Sequence, residues 1–439
     1  MGTRKAHYIE EIKMKIFLFL ILSVFPLTVT GCQKGDVPDS KPEANSTVEE
    51  KFKNGIDGFL DDRISEIVGK RVGIVTNHSA ITKDGKHLVD ALHFDKKTSI
   101  TAVFGPEHGF RGDAAAGKKI DDSKDEKTGL QVYSLYGATK KPTAQMLNGV
   151  DVMIFSIRDV GVRFYTYIST LYYVMEACGE KGIPVIVLDQ PNIIEGTYVD
   201  GPIVEEPLFS FVGITALPIA HGMTVGELAY FFKDDILKRK NISCTLDVVK
   251  MKGYFRETEF SSTGLDWVNP SPNLRSVLAS KVYPGTCLLE NTNFSEGRGT
   301  EEPFLIIGAP FVKSKEFSDA IAAFPGIKSV EPVEFTPVES SAATKPKYLG
   351  EKCFGARITG INPGFESVKF GFFLLDHLLK SYPGKFEIRE KGFAGKAGNN
   401  RIREMLVKAG WEAVVKSYTS ELQQFKELRN KYLLYTNLR

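Results

Sequence analysis

The sequence has little of what metal- and nucleotide-dependent chemistry needs. Its 439 residues include five cysteines and seven histidines, none in a CxxC, an HExxH or another metal-like spacing. The glycine fingerprints GxGxxG and GxxxxGK[ST] are absent, so no dinucleotide or triphosphate is implied. Without a GxSxG elbow, serine-triad hydrolysis has no anchor either. Net charge is also missing. The formal value is +2, and the first 31 residues, with four basic and two acidic side chains, account for all of it. The neutral remainder has no global field for nucleic acid or an anionic membrane. Any anion must be held by a local arginine site. No cofactor and no metal is expected.

What is present begins with a processing signal. From Met14 a lysine leads an apolar run, Ile16 to Val29, interrupted by Pro26. That run is short for a membrane span and fits a removed signal peptide over 1–31, with residues 1–13 preceding a second candidate start. Val29-Thr30-Gly31-Cys32 resembles the bacterial lipobox, which implies cleavage before Cys32 and lipid on its thiol. Residues 32–48, polar with two prolines, then read as a tether, and the product as an exported protein anchored to a membrane. Cys178, Cys244, Cys287 and Cys353 are expected as free, buried thiols.

Residues 49–210 alternate apolar runs with amphipathic stretches. The runs are 71–78, 98–108, 151–159 and 183–192; helices are expected over 81–94 and 165–182. Continuous apolar strands between helices predict an α/β domain with a Rossmann-like, doubly wound, mostly parallel sheet. Residues 211–439 read as a second, α+β subdomain. There Thr224 and Glu227 form a capping box, which gives Glu227 a structural role, and the end of the chain is a helical tail.

The four runs end on Asn77-His78, Glu107-His108, Asp159, and Asp189 with Asn192 beyond. Ligands of open α/β sheets sit outside the carboxyl ends of the strands, so four polar ends together outline a site. In Phe104-Gly105-Pro106-Glu107-His108-Gly109-Phe110-Arg111-Gly112, glycines let a ligand approach, and a partly desolvated Glu107 can serve as general acid. Arg111 can fork onto a substrate carboxylate, and Arg163 stands with Asp159, Tyr165 and Tyr167 around a glycine. Tyr165, His221, Asn273 and the loop 293–300, with Asn293, Glu296 and Arg298, complete the polar set. Carboxylates with arginines, aromatics and amides are the groups used on sugars.

The motifs VTNHSA, FGPEHGFRG, DVGVRFYTYIST, HGMTVGELA, WVNPSPN and YPGTCLLENTNFSEGRGTEEPF, in this order, resemble the exo-β-N-acetylmuramidase family of peptidoglycan hydrolases, formerly a bacterial domain of unknown function. The resemblance runs from about residue 55 to the C-terminus. It implies a glycoside hydrolase with its cleft between the two parts, removing terminal N-acetylmuramic acid from non-reducing ends of peptidoglycan fragments, with Glu107 as the leading catalytic candidate. The lactyl carboxylate of that sugar would suit Arg111, Arg163 or Arg298. Its 2-acetamido group could attack the anomeric carbon, oriented by Asp159 or Glu296 with Tyr165. Two segments depart from the family pattern. FDIQDVG is expected where Phe155-Ser156-Ile157-Arg158-Asp159-Val160-Gly161 stands, and DRPNP where Asp189-Gln190-Pro191-Asn192-Ile193 stands. These departures motivate a rival reading, a catalytically silent muropeptide- or glycan-binding lipoprotein. A Rossmann-type transferase is disfavoured by the missing glycine fingerprint.

Overall fold

A computed structural model of the chain describes residues 51–95, 98–112 and 119–438; the signal segment, Cys32 and the tether lie outside them. The apolar runs become β1 (Arg71–Thr76), β2 (Ser99–Gly105), β5 (Val152–Ser156) and β6 (Val185–Leu188), joined by β3 (Ser123–Lys124), β4 (Gln131–Ser134) and β7 (Leu246–Val249). They form one sheet in the order β3-β4-β2-β1-β5-β6-β7. All neighbours are parallel except the edge pair β3–β4.

Alternate side chains of each strand face opposite sides, and both sides are dry. Val72, Ile74, Val152 and Ile154 pack with Ile56 and Phe59 of α1 (Gly55–Asp62) and with Leu88 and Leu92 of α2 (Leu88–Asp95). Val75, Met153, Phe155 and Val187 pack on the other side, against Ile168, Leu171, Met175 and Cys178 of α3 (Tyr167–Lys181). At roughly 1.5–3 kcal/mol for each large apolar side chain fully buried, this double coverage fixes the register. The doubly wound, mostly parallel sheet is therefore as expected. Its winding reverses at β1, which has β2 on one side and β5 on the other, and opens a crevice at their carboxyl ends.

α4 (Val225–Phe231) starts on the expected capping box, Thr224 with Glu227. Beyond it come α5 (Val277–Thr286), β8 (Ile306–Ala309), α6 (Ser314–Ala322), β9 (Ile327–Phe335), β10 (Cys353–Ile361), α7 (Ser367–Ser381), α8 (Glu390–Ala397) and α9 (Arg401–Arg429). The three strands form a second, antiparallel sheet, β8-β10-β9. One apolar cluster runs from β1 and β5 through to α9, so both sheets share a core and Glu49–Arg439 is one compact unit.

Three local expectations change. The helix expected over 81–94 begins only at Leu88, because Ile81 and His87 bridge across a turn with Gly85 at φ 74°. The tail is two helical stretches, broken at Gly410, whose φ of 82° and ψ of 178° no helix admits. The sheet also continues past residue 210, since β7 supplies its last strand. Cys178, Cys244, Cys287 and Cys353 are free and buried, as expected.

Candidate active site

β2 stops at Gly105, and the chain turns through Pro106 to Glu107 with His108 and Gly109 both left-handed, at φ 71° and 79°. A left-handed non-glycine residue is held there by its surroundings at a cost. His108 is buried and Glu107 half-buried, and both line an open cleft of about 530 Å³ at the carboxyl edge of the sheet. Thr166 stands at the N-cap position of α3, yet its hydroxyl makes no cap. Instead Oγ1 donates to Glu107 Oε2 at 2.6 Å. Tyr136, just after β4, also hydrogen-bonds Glu107; burial first, then that carboxylate, pushes its phenol up.

The opposite wall comes from the second half of the chain. Burial opposes ionisation of Glu290, but Lys396 and Arg298 hold its carboxyl well below the usual range. Lys396 Nζ contacts it directly, and Arg298 Nη2 does so at 2.7 Å. Glu296 accepts from Lys347 Nζ at 2.8 Å and lies 3.5 Å from Arg298 Nε. The base of the cleft is aromatic. Tyr165 and Tyr167 meet edge to face at 4.9 Å, and Tyr283 meets Phe304 likewise at 4.8 Å. Such surfaces offer apolar faces with polar tips to a sugar ring.

Asp159 is buried and is not among the cleft-lining residues. Its Oδ2 accepts from Gly161 N at 2.7 Å and lies 3.8 Å from His221 Nε2. Burial pushes its carboxyl up to about 7 and the His221 imidazole down to about 3. Burial first, with a smaller effect of the Asp159 carboxylate, raises the phenols of Tyr165 and Tyr167, which do line the cleft.

Glu107, His108, Tyr165, Glu296 and Arg298 are thus brought together, and the remaining sequence candidates are placed elsewhere. Arg111 forks onto Asp125 at 2.9 and 2.7 Å, away from the cleft, and this corrects its expected role as a carboxylate reader. Arg163 is fully buried, donating to the carbonyls of Pro202 and Leu217 at 2.8 Å and of Lys396 at 2.5 Å. Asn77 Oδ1 accepts from the Ser79 hydroxyl at 2.6 Å, and His78 Nε2 meets the carbonyl of Asn269 at 2.6 Å. Asn192 Nδ2 donates to Met223 O at 3.0 Å, and a Cβ at Gly161 (φ 87°) would strike its amide oxygen at 2.3 Å. His221 Nδ1 accepts from Met223 N at 3.2 Å. Asn273 ties to Ala342 O at 2.9 Å, and Asn293 to Lys385 O at 2.7 Å. None of these side chains lines the cleft.

The departures from the family pattern lie in the core behind the cleft. Ser156, Arg158 and Gln190 are buried, and none lines it. Two of them meet: Gln190 Nε2 donates to Ser156 Oγ at 3.4 Å. The family pattern has an acid and an arginine at these two positions, and here a neutral pair stands in their place. Arg158 donates to Asp266 O at 3.3 Å and lies 4.9 Å above the Phe260 ring; burial lowers its guanidinium to about 10.

Thr166, Tyr136, Glu290, Lys347, Arg389 and Lys396 escaped the reading of the sequence. Thr166 and Glu290 lie inside the motifs DVGVRFYTYIST and YPGTCLLENTNFSEGRGTEEPF, whereas Lys347, Arg389 and Lys396 sit in stretches without any local signature. Among the described residues no group of His, Cys, Asp and Glu could hold a metal ion.

Comparison with known proteins identifies the family. The N-terminal model of the exo-β-N-acetylmuramidase NamZ matches residues 72–278, and its C-terminal model matches 281–435. The peptidoglycan β-N-acetylmuramidase NamZ of Bacillus subtilis (strain 168) is 44% identical over 426 residues, 96% of this chain and 99% of that protein. Two DUF1343-family crystal structures from Bacteroides fragilis superpose with TM-scores of 0.78 and 0.72, at 32% and 30% identity. Each covers 88% of this chain, and 99% and 100% of its own is covered. With two consecutive models spanning both sheets, and a relative aligned almost end to end, this chain belongs to the exo-β-N-acetylmuramidase family.

Proposed function

We propose that this glycoside hydrolase releases terminal N-acetylmuramic acid from the non-reducing ends of peptidoglycan fragments, with Glu107 as general acid. One observation carries the assignment. Glu107 stands at the crevice where the sheet's winding reverses, lines the cleft, and is oriented by the Thr166 hydroxyl at 2.6 Å. The other two acids of the cleft, Glu290 and Glu296, are engaged by Arg298, Lys396 and Lys347, which suits a wall better than a proton donor.

In this reading Glu107 gives its proton to the glycosidic oxygen as the bond to the anomeric carbon breaks. The carbonyl oxygen of the substrate's own 2-acetamido group attacks that carbon from the opposite face, and an oxazolinium forms. Glu107, now a carboxylate, takes a proton from the water that reopens the ring. Tyr165 and Glu296, at the cleft surface, orient the acetamide; Asp159 acts at one remove, through Tyr165. We further propose that the protein is exported and lipid-anchored through Cys32.

Glu107→Gln should lower kcat on a chromogenic N-acetylmuramic acid β-glycoside by about 10²–10⁴ and leave KM near that of the wild type. A thiazoline mimic of the oxazolinium should inhibit competitively. Full turnover by the variant would remove the general acid. Binding of the sugar without turnover by the wild type would favour a silent glycan-binding protein, although the departures that motivated this rival lie behind the cleft.

A further inference from the structure

Five basic residues line the cleft, Arg298, Lys345, Lys347, Arg389 and Lys396, against three acids, Glu107, Glu290 and Glu296. The excess of positive charge calls for an anionic ligand, and the hydrogen bonds show where it can be held. Lys347 has three N–H groups, and all three are used, on Leu289 O at 2.6 Å, Phe294 O at 2.8 Å and Glu296 Oε2 at 2.8 Å. Lys396 is engaged by Glu290 and the Cys287 thiol. Arg298 is shared between Glu290 and Glu296.

Arg389 differs. Its backbone is pinned, N–H to Asn291 O at 2.8 Å beside the Thr292–Ile388 bridge. Asn293 fastens the same segment through Lys385 O and Glu387 N. Its guanidinium is exposed at the cleft and has no carboxylate partner among the described residues. It lies near enough to Lys347 to depress that ammonium, adding to the effect of burial. A rigid base under a free planar fork suits a carboxylate. Lys345, also unpaired among the described residues, is a point charge on an exposed strap.

We propose that Arg389 is the residue that reads the lactyl carboxylate, and so makes the cleft selective for N-acetylmuramic acid over N-acetylglucosamine. This rests on the proposed activity at the same site. The role considered from sequence for Arg111, Arg163 or Arg298 passes to a residue 278, 226 and 91 positions further along the chain.

The test compares wild type, Arg389→Met and Arg389→Lys on chromogenic β-glycosides of both sugars, with binding of the two free sugars measured in parallel. Loss of one charge-assisted contact should lower kcat/KM for the muramic substrate about 10–100-fold, mainly through KM, with the glucosamine substrate changed less than about threefold. Arg389→Lys should recover part of the difference. Equal losses on both glycosides, or unchanged affinity of Arg389→Met for free N-acetylmuramic acid, would overturn the assignment. If the wild type turns over neither glycoside, the proposed activity fails by itself, and the binding arm still decides Arg389.

Discussion

Thr166 Oγ1 donates to Glu107 Oε2 at 2.6 Å across 59 positions of sequence, joining the end of β2 to the start of α3. The residue at the N-cap position thus serves a carboxylate instead of its own helix. Thr166→Val keeps the shape and removes the donor. It should lower kcat by about 5–20-fold with little change in KM, because one hydrogen bond that orients Glu107 is lost. Tyr136→Phe should act in the same direction, and the double variant should fall further. Steady-state kinetics of the three variants decide it, and wild-type kcat in both single variants would show these hydroxyls to be idle.

Asp159 and Asp189 should make the fold less stable as pH rises. Burial pushes each carboxyl up to about 7, so the folded chain keeps protons that the unfolded chain releases near the usual value of about 4. Their contribution is complete below that value and is lost as pH rises through about 7. Asp159→Asn keeps an acceptor for Gly161 N and cannot ionise. Its stability should therefore gain on the wild type progressively between about pH 4 and 7, by at most about 1.4 kcal/mol per pH unit, and level off above that. Thermal melts across that range test this; a constant difference would contradict it.

Arg163 supports the fold, so its loss should appear as instability. Arg163→Met leaves the buried carbonyls of Pro202 and Leu217, and the half-buried one of Lys396, without their donor. Each orphaned group costs about 1–3 kcal/mol, and the total should be at least about 3 kcal/mol in urea unfolding. A variant of normal stability that binds muramic acid poorly would instead return Arg163 to the substrate.

Cys32→Ser should abolish incorporation of labelled fatty acid and move the protein out of the membrane fraction. Labelling and fractionation in a bacterial host read both. Retained label would place the lipid elsewhere, and retained membrane association without label would favour an uncleaved anchor.

The carboxyl-edge rule found the right region because strand ends are local. An apolar run followed by Pro106-Glu107 has only one way to leave a buried sheet. The same rule overreached at Asn77, Asn192 and Asp159, each within a few residues of a strand end and each turned to backbone or buried groups. A polar side chain beside a strand terminus has two competing partners, the substrate and the unpaired N–H groups of the turn. Sequence does not show which is nearer. Ser156 and Gln190, two of the departures behind the silent reading, likewise meet each other in the core and do not face the cleft.

By itself the sequence determined the doubly wound sheet, the thiol state of its described cysteines, the capping box at Thr224 and the place of Glu107. All of these follow from patterns within a few residues, or from burial that the pattern already implies. Only the tertiary structure decided which cations face the cleft. An arginine's role depends on whether carbonyls, a carboxylate or open space surround its guanidinium. Those neighbours come from distant segments: residues 202, 217 and 396 around Arg163, Asp125 beside Arg111, and the open cleft before Arg389.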